Sequence, residues 1–275
     1  MRERDNSGAE ALITRLATLF AERPETVAIA LGGSRAGIVA DPASDIDLYV
    51  LTSAGIPLPA RAAIVAQSGG ASRADLGLAY WGPGDEWFDA ATGIEVDIVY
   101  FDFDWLAGEL RQVLRERRAA MGYTTCYWHT IRMARPLYDP TGRLSALRAE
   151  CEIPYPEALR RNIIALNHPV LREIIPAYAV QIEKAVKRAD WVSVNHRLAA
   201  LLASYFDILF ALNRVPHPGE KRMLAQAEAL CARLPVDMAA DVSDVLATAA
   251  GPEVLGHLHR LLDRLDDIMQ KEEND

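Results

Sequence analysis

The sequence predicts an α+β fold, with a small mixed β-sheet domain over residues 1–110 and an all-α helical bundle over 111–275. Three observations carry that reading. Short, apolar, β-branched runs recur before residue 102, bounded by Gly, Pro and Asp. From about residue 104 the apolar residues move to helical spacing. After residue 140 no strand signal of comparable strength appears, so the boundary is expected near 105–115.

In chain order, Ser7 with Glu10 forms a capping-box pattern ahead of the helical run "ALITRLATLFAE", which Pro24 should end. "TVAIAL" (26–31) reads as a buried strand broken by Gly32, Gly33 and Ser34. "DIDLYVLT" (45–52) reads as a second strand, with Asp45, Asp47 and Tyr49 on one face and Ile46, Leu48 and Val50 on the other. Pro and Gly punctuate a loop over 53–75 around "RAAIVAQ". Two more strands are expected at 75–81 and 94–101, separated by the turn-rich "GPGDEWFDAAT". "WLAGELRQVLRERRAA" then begins the helices, its 111–120 portion forming a basic face. Further helices are expected at 157–167, 172–188, 219–233, 237–249 and 253–271. The clearest helix starts at Trp191, with Asp190 as N-cap and Val194, Leu198, Leu201, Tyr205, Ile208 and Leu212 as its apolar stripe.

Bulk properties narrow the function. A net charge of −9 argues against a protein that grips nucleic acid by a broad basic face. Cys126, Cys151 and Cys231 are far apart and odd in number, which fits reduced, buried thiols better than a disulfide or zinc framework. The N-terminus lacks the apolar core of a signal peptide. The longest apolar stretch, 198–212, contains Asp207 and is shorter than the roughly 20 residues of a membrane span. The expectation is a cytoplasmic protein without a membrane partner.

The segment "LGGSRAGIVADPASDIDLYV" (31–50) holds the chemistry. Residues i and i+2 of a strand share a face, so Asp45 and Asp47 would stand side by side, near enough to hold divalent cations. Oxygen donors favour Mg²⁺, and Asp97 in "VDIVYF" would complete the set if its strand lies beside 45–52. Gly33 and Ser34 could cradle a phosphate through backbone N–H groups and a hydroxyl, and Arg35 could offset its charge. A second Asp-x-Asp, Asp102 and Asp104, sits at a strand end and reads as a cap for the next helix.

Gly33-Ser34, ten intervening residues, Asp45-Ile46-Asp47 and a later Asp97 on a strand together resemble the DNA polymerase β-type nucleotidyltransferase superfamily. The helical half resembles the substrate domains of its small stand-alone members, such as the aminoglycoside and lincosamide nucleotidyltransferases and the antitoxin-type adenylyltransferases. The resemblance covers roughly residues 27–101 by motif and the remainder by style. It implies an enzyme that moves a nucleoside monophosphate, most often AMP from ATP, to the hydroxyl of a small molecule or protein and releases pyrophosphate. Gly33, Ser34 and Arg35 would bind the nucleotide. Asp45, Asp47 and Asp97 would be the catalytic carboxylates and the ligands of two Mg²⁺ ions. Asp97 could instead act as general base, a part that Glu173 of the helical half could also take, and Glu95 is its stand-in. A lysine from the helical domain commonly reaches the phosphates in such enzymes, which points to Lys221 in "NRVPHPGEKR". The alternative is a nucleotide-binding, antitoxin-like or regulatory protein with this fold and little turnover.

Several other residues invite bland readings. His129 fits a core histidine. Trp81, Trp87 and Phe88 could stack a base but fit packing better. Arg161 and His168 are spaced like the Arg–His pair of HEPN-type RNase helices, although Pro169 would end such a helix.

Overall fold

A computed structural model describes residues 2–33, 35, 44–80 and 82–274. The described chain is a six-stranded mixed sheet with many helices, including a helical C-terminal region. It divides into two units. The first comprises residues 1–111 and 130–152, the second 112–129 and 153–275. Residues 130–152, which the sequence pattern places with the helices, thus belong with the sheet.

The first unit opens with α1 (Arg2–Ala21). Ser7 lies inside this helix, so it is not the expected N-cap. Strand β1 (Thr26–Leu31) pairs antiparallel with β2 (Ile46–Thr52). The expected loop over 53–75 is instead α2 (Leu58–Ser68) followed by the start of β3 (Ala71–Leu78). Pro57 and a proline at the first turn start α2, where a missing N–H costs nothing, and Gly69 at φ 130° ends it.

The expected turn at 82–92 contains β4 (Gly84–Asp89), after which come β5 (Glu95–Asp102) and α3 (Phe103–Leu114). Asp102 accepts from the N–H of Trp105 at 2.8 Å, as expected of a cap, and Asp104 pairs with Arg143 at 2.7 Å. After α4 (Cys126–Met133), the edge strand β6 (Arg135–Tyr138) returns to pair with β1, and α5 (Arg143–Cys151) follows. Pro136 is tolerated in β6 because the strand lies at an edge. The sheet order is β3-β4-β5-β2-β1-β6, with β2 and β5 parallel.

One face of the sheet is the core. Ile29, Leu31, Ile46, Leu48, Val50, Val96 and Ile98 pack with Leu12, Leu16 and Phe20 of α1 and with Ile64 and Val65 of α2. Trp87 belongs to this core, which settles it as packing, while Phe88 on the opposite face is exposed. Trp81 lies outside the described residues. Strand β4 escapes an apolar-pattern reading because two of its three buried residues, Asp85 and Asp89, are carboxylates. Asp85 is satisfied by Arg61 at 3.0 Å, the Tyr100 hydroxyl at 2.6 Å and the Gly77 N–H at 2.7 Å. Burial and the Asp85 charge raise the Tyr100 pKa, so its hydroxyl stays a donor.

In the second unit α3 stops at Leu114, so residues 115–120 are not the expected basic helix. Helices α6 (Glu157–Asn167), α7 (Pro169–Arg172), α8 (Tyr178–Lys187), α9 (Trp191–Leu212), α10 (Met223–Leu230), α11 (Met238–Ala247) and α12 (Val254–Asn274) complete it. Asp190 caps α9 by accepting from the Ser193 N–H at 3.1 Å, and the expected stripe from Val194 to Leu212 is buried. Among the described residues no helix is long and apolar enough to cross a membrane.

Asp207 breaks the apolar run of α9 for a reason. It accepts from the N–H and hydroxyl of Thr124, at 3.1 and 2.6 Å, and from Asn167 at 3.4 Å. Asn167 in turn binds the Gly122 N–H at 3.0 Å and the Ala120 carbonyl at 2.9 Å. Burial raises the Asp207 pKa to about 7 against the two lowering bonds from Thr124.

Two predictions follow from these buried groups. Tyr100→Phe removes a hydroxyl–carboxylate bond and should lower stability by about 2 kcal/mol in urea denaturation. For Asp207 the folded pKa exceeds the unfolded value of 3.8, so the folded state binds more protons between pH 4 and 7. Its contribution to stability is therefore fully present below pH 4 and declines as pH rises through 7, by up to about 1.4 kcal/mol per pH unit. Asp207→Asn should flatten that slope when unfolding is measured across the same range.

Candidate functional site

The site begins with the parallel pairing of β2 and β5. Their register sets Ile46 beside Val96, Asp47 beside Asp97 and Leu48 beside Ile98. Because Ile46, Leu48, Val96 and Ile98 enter the core, the two-residue period sends Asp47 and Asp97 to the opposite face, where both are half-buried. Neighbouring strands are about 4.8 Å apart, so the two carboxylates are adjacent. Asp45 lies just before β2 and is exposed.

The two glycines close over this face. Gly32 donates to the Asp47 carbonyl at 2.8 Å. A Cβ on Gly32 would lie 2.3 Å from the Tyr49 ring, and one on Gly33, at φ 58°, would lie 1.8 Å from Asp47 Oδ2. Burial, then the charge of Asp47, and more weakly that of Asp97, push the Tyr49 pKa up to about 12, against a lowering influence of the Gly33 backbone. Tyr49 is thus a protonated hydroxyl within the field of both carboxylates. Gly33, read from sequence as part of a phosphate cradle, lies against the Asp47 carboxylate.

Arg35 is buried, and its Nε donates to the carbonyls of Ser44 at 2.8 Å and Asp45 at 3.0 Å. It holds the backbone that presents Asp45. Ser34 lies outside the described residues. Lys221 is exposed in a turn before α10, whose N-cap is Arg222. It lies outside the first turn of α10.

The register also adds a residue that sequence reading missed. Glu86 of β4 pairs with Asp97, and Asp75 of β3 pairs with Glu86. Asp47, Asp97, Glu86 and Asp75 therefore form a transverse row of carboxylates across four consecutive strands. Like charges directly opposite one another destabilise a sheet. Glu95, the stand-in for Asp97, is exposed at the first position of β5. Among the described residues no group of three or more His, Cys, Asp or Glu is set at metal-ligating spacing. The Asp47–Asp97 pair still suits Mg²⁺, which commonly takes one or two protein carboxylates and completes its shell with substrate phosphates and water.

The other candidates have structural partners. His168 contacts Asp266 at 2.6 Å and Glu173 at 3.1 Å, and those acids, with Asp266 foremost, raise its pKa against burial. Asp266 and Glu173 thus bind His168 rather than leaving it as an isolated base. His217, in the middle of "NRVPHPGEKR", is fully buried between Tyr123 and Phe210. Its Nδ1 accepts from the Gly219 N–H at 3.1 Å and lies 3.5 Å from Cys126 Sγ. Burial lowers its pKa to about 4 and raises that of Cys126 to about 12, which keeps both groups neutral near pH 7.

Comparison with known proteins is sparse. A family model described as a domain of unknown function (DUF4037) matches residues 128–223. That stretch runs from α4 to the start of α10 and lies outside β2 and β5. No curated protein matches the chain.

The close approach of the glycines is directly testable. Gly33→Ala must strain the backbone and displace Asp47, and should cost about 2 kcal/mol in denaturant unfolding. Gly55→Ala meets nothing within 4 Å and should change stability by less than about 0.5 kcal/mol.

Proposed function

We propose that the protein is a cytoplasmic, Mg²⁺-dependent nucleotidyltransferase that moves a nucleoside monophosphate, AMP from ATP by preference, to a hydroxyl of a small-molecule or protein acceptor. The observation that carries this reading is the Asp47–Asp97 pair, aligned by strand register and covered by Gly33. A divalent cation between or over two adjacent carboxylates offsets their mutual repulsion. Mg²⁺ at such a pair supplies charge neutralisation on the phosphates and on the leaving pyrophosphate.

The chain's own residues would do the following. Asp47 and Asp97 hold the cation, with Asp45 as a further oxygen donor two residues before Asp47. Where Asp97 acts as base instead of ligand, it would accept the proton of the acceptor hydroxyl as that oxygen bonds to the α-phosphorus and the bond to pyrophosphate breaks. Arg35 fixes the backbone at Ser44 and Asp45, so that Asp45 is presented from a set position. The acidic balance of −9 favours a nucleotide and a small or protein acceptor over a nucleic acid.

The rival reading is a nucleotide-binding regulatory protein with little turnover.

Calorimetric titration of the four NTPs with and without Mg²⁺, on wild type and Asp47→Asn, tests the proposal. Metal-dependent binding reduced at least tenfold in Asp47→Asn is expected. Equal binding by the variant would refute the site. Binding without pyrophosphate release in the presence of candidate hydroxyl acceptors would favour the regulatory reading.

A further inference from the structure

The segment after α3 carries a second feature, confined to the second unit. Residues 117–125 have no regular structure until the turn into α4, yet side chains hold them closely. Asn162 donates to the Arg117 carbonyl at 2.8 Å. Asn167 and Asp207 bind Ala120, Gly122 and Thr124, as described above. A Cβ on Gly122 would come within 3.0 Å of Ala203.

This clamp holds Arg117 at φ 58°, a conformation glycine adopts readily and arginine does not. Strained backbone that the surroundings over-determine is common at ligand sites. Arg117 also lines an open-sided cavity of about 600 Å³, together with Glu116, Arg118, Asn162, Ala165 and Leu166. Its Nη1 is buried and has no hydrogen-bonding partner among the described residues. A buried guanidinium nitrogen without an acceptor is unfavourable, and a bound anion would satisfy it. Arg118 donates to Gln112, which fixes that side chain at the same rim. Among the lining residues two arginines stand against the single acid Glu116.

We propose that this cavity binds the phosphate group of a small phosphorylated ligand. The planar fork of Arg117 matches two phosphate oxygens, a fit that a lone ammonium lacks. Ala165 and Leu166 form an apolar wall for the part of the ligand that carries the phosphate. The proposal is independent of the carboxylate pair on β2 and β5.

The test uses the full-length chain in EDTA, titrated calorimetrically with inorganic phosphate, phenyl phosphate and benzoate. Wild type should bind phenyl phosphate in the millimolar range or better, and more tightly than inorganic phosphate or benzoate. Arg117→Gly should lose at least tenfold in affinity while its melting temperature holds or rises, since glycine accepts this φ. Asp47→Asn should bind phenyl phosphate like wild type, which separates this cavity from the nucleotide site. Should Arg117→Gly fail to fold, Arg118→Ala should show at least a threefold loss. Absence of binding by wild type, undiminished binding by the folded variant, or benzoate binding as tight as phenyl phosphate would each overturn the proposal.

Discussion

Parallel, in-register pairing of β2 with β5 is the constraint from which the rest of the first unit's site follows. Each strand has one face committed to the core by Ile46, Leu48 and Val50, or by Val96, Ile98 and Tyr100. A shift of one residue in either strand would bury a carboxylate and expose an isoleucine or leucine, so the register is strongly specified. With the register set, Asp47 and Asp97 must be neighbours. The approach of Gly33 to Asp47 and of Gly32 to Tyr49 then closes the site's edge, because any side chain there would overlap existing atoms.

Both units bury a carboxylate away from the candidate catalytic face. Asp85 ties β4 to α2, β3 and β5 through Arg61, Gly77 and Tyr100, while Asp207 ties α9 to the segment before α4 through Thr124. These bonds are directional, and each joins residues distant in sequence. A buried carboxyl group with all its partners present holds one arrangement, since any other leaves it unsatisfied at considerable cost. In the same segment of the second unit, Asn162 bonds the carbonyl of the left-handed Arg117.

Much of the candidate site was legible because it rests on local periodicity. The faces of β2 and β5, the N-cap at Asp190 and the stripe of α9 are all short-range patterns, and the structure agrees with them. Strand β4 was hidden because its inward residues include Asp85 and Asp89, whose partners are supplied by other elements. Helix α2 was hidden by prolines that start a helix as readily as they break one. Residues 115–120 look helical in composition, yet Asn162 and Asn167 pull the chain into another path. Glu86 could not be singled out before its strand was recognised.

The sequence by itself determined which side chains face together within each element, because a strand's period of two and a helix's of 3.6 are local properties of the backbone. It thus placed Asp47 opposite Ile46 and Leu48, and Asp97 opposite Val96 and Ile98. Only the tertiary structure decided that β5 lies directly beside β2, that β4 extends the carboxylate row through Glu86, and that β6 returns to β1 after the helices have begun. Strand neighbours are chosen by long-range burial and hydrogen bonding, and no local pattern carries that choice.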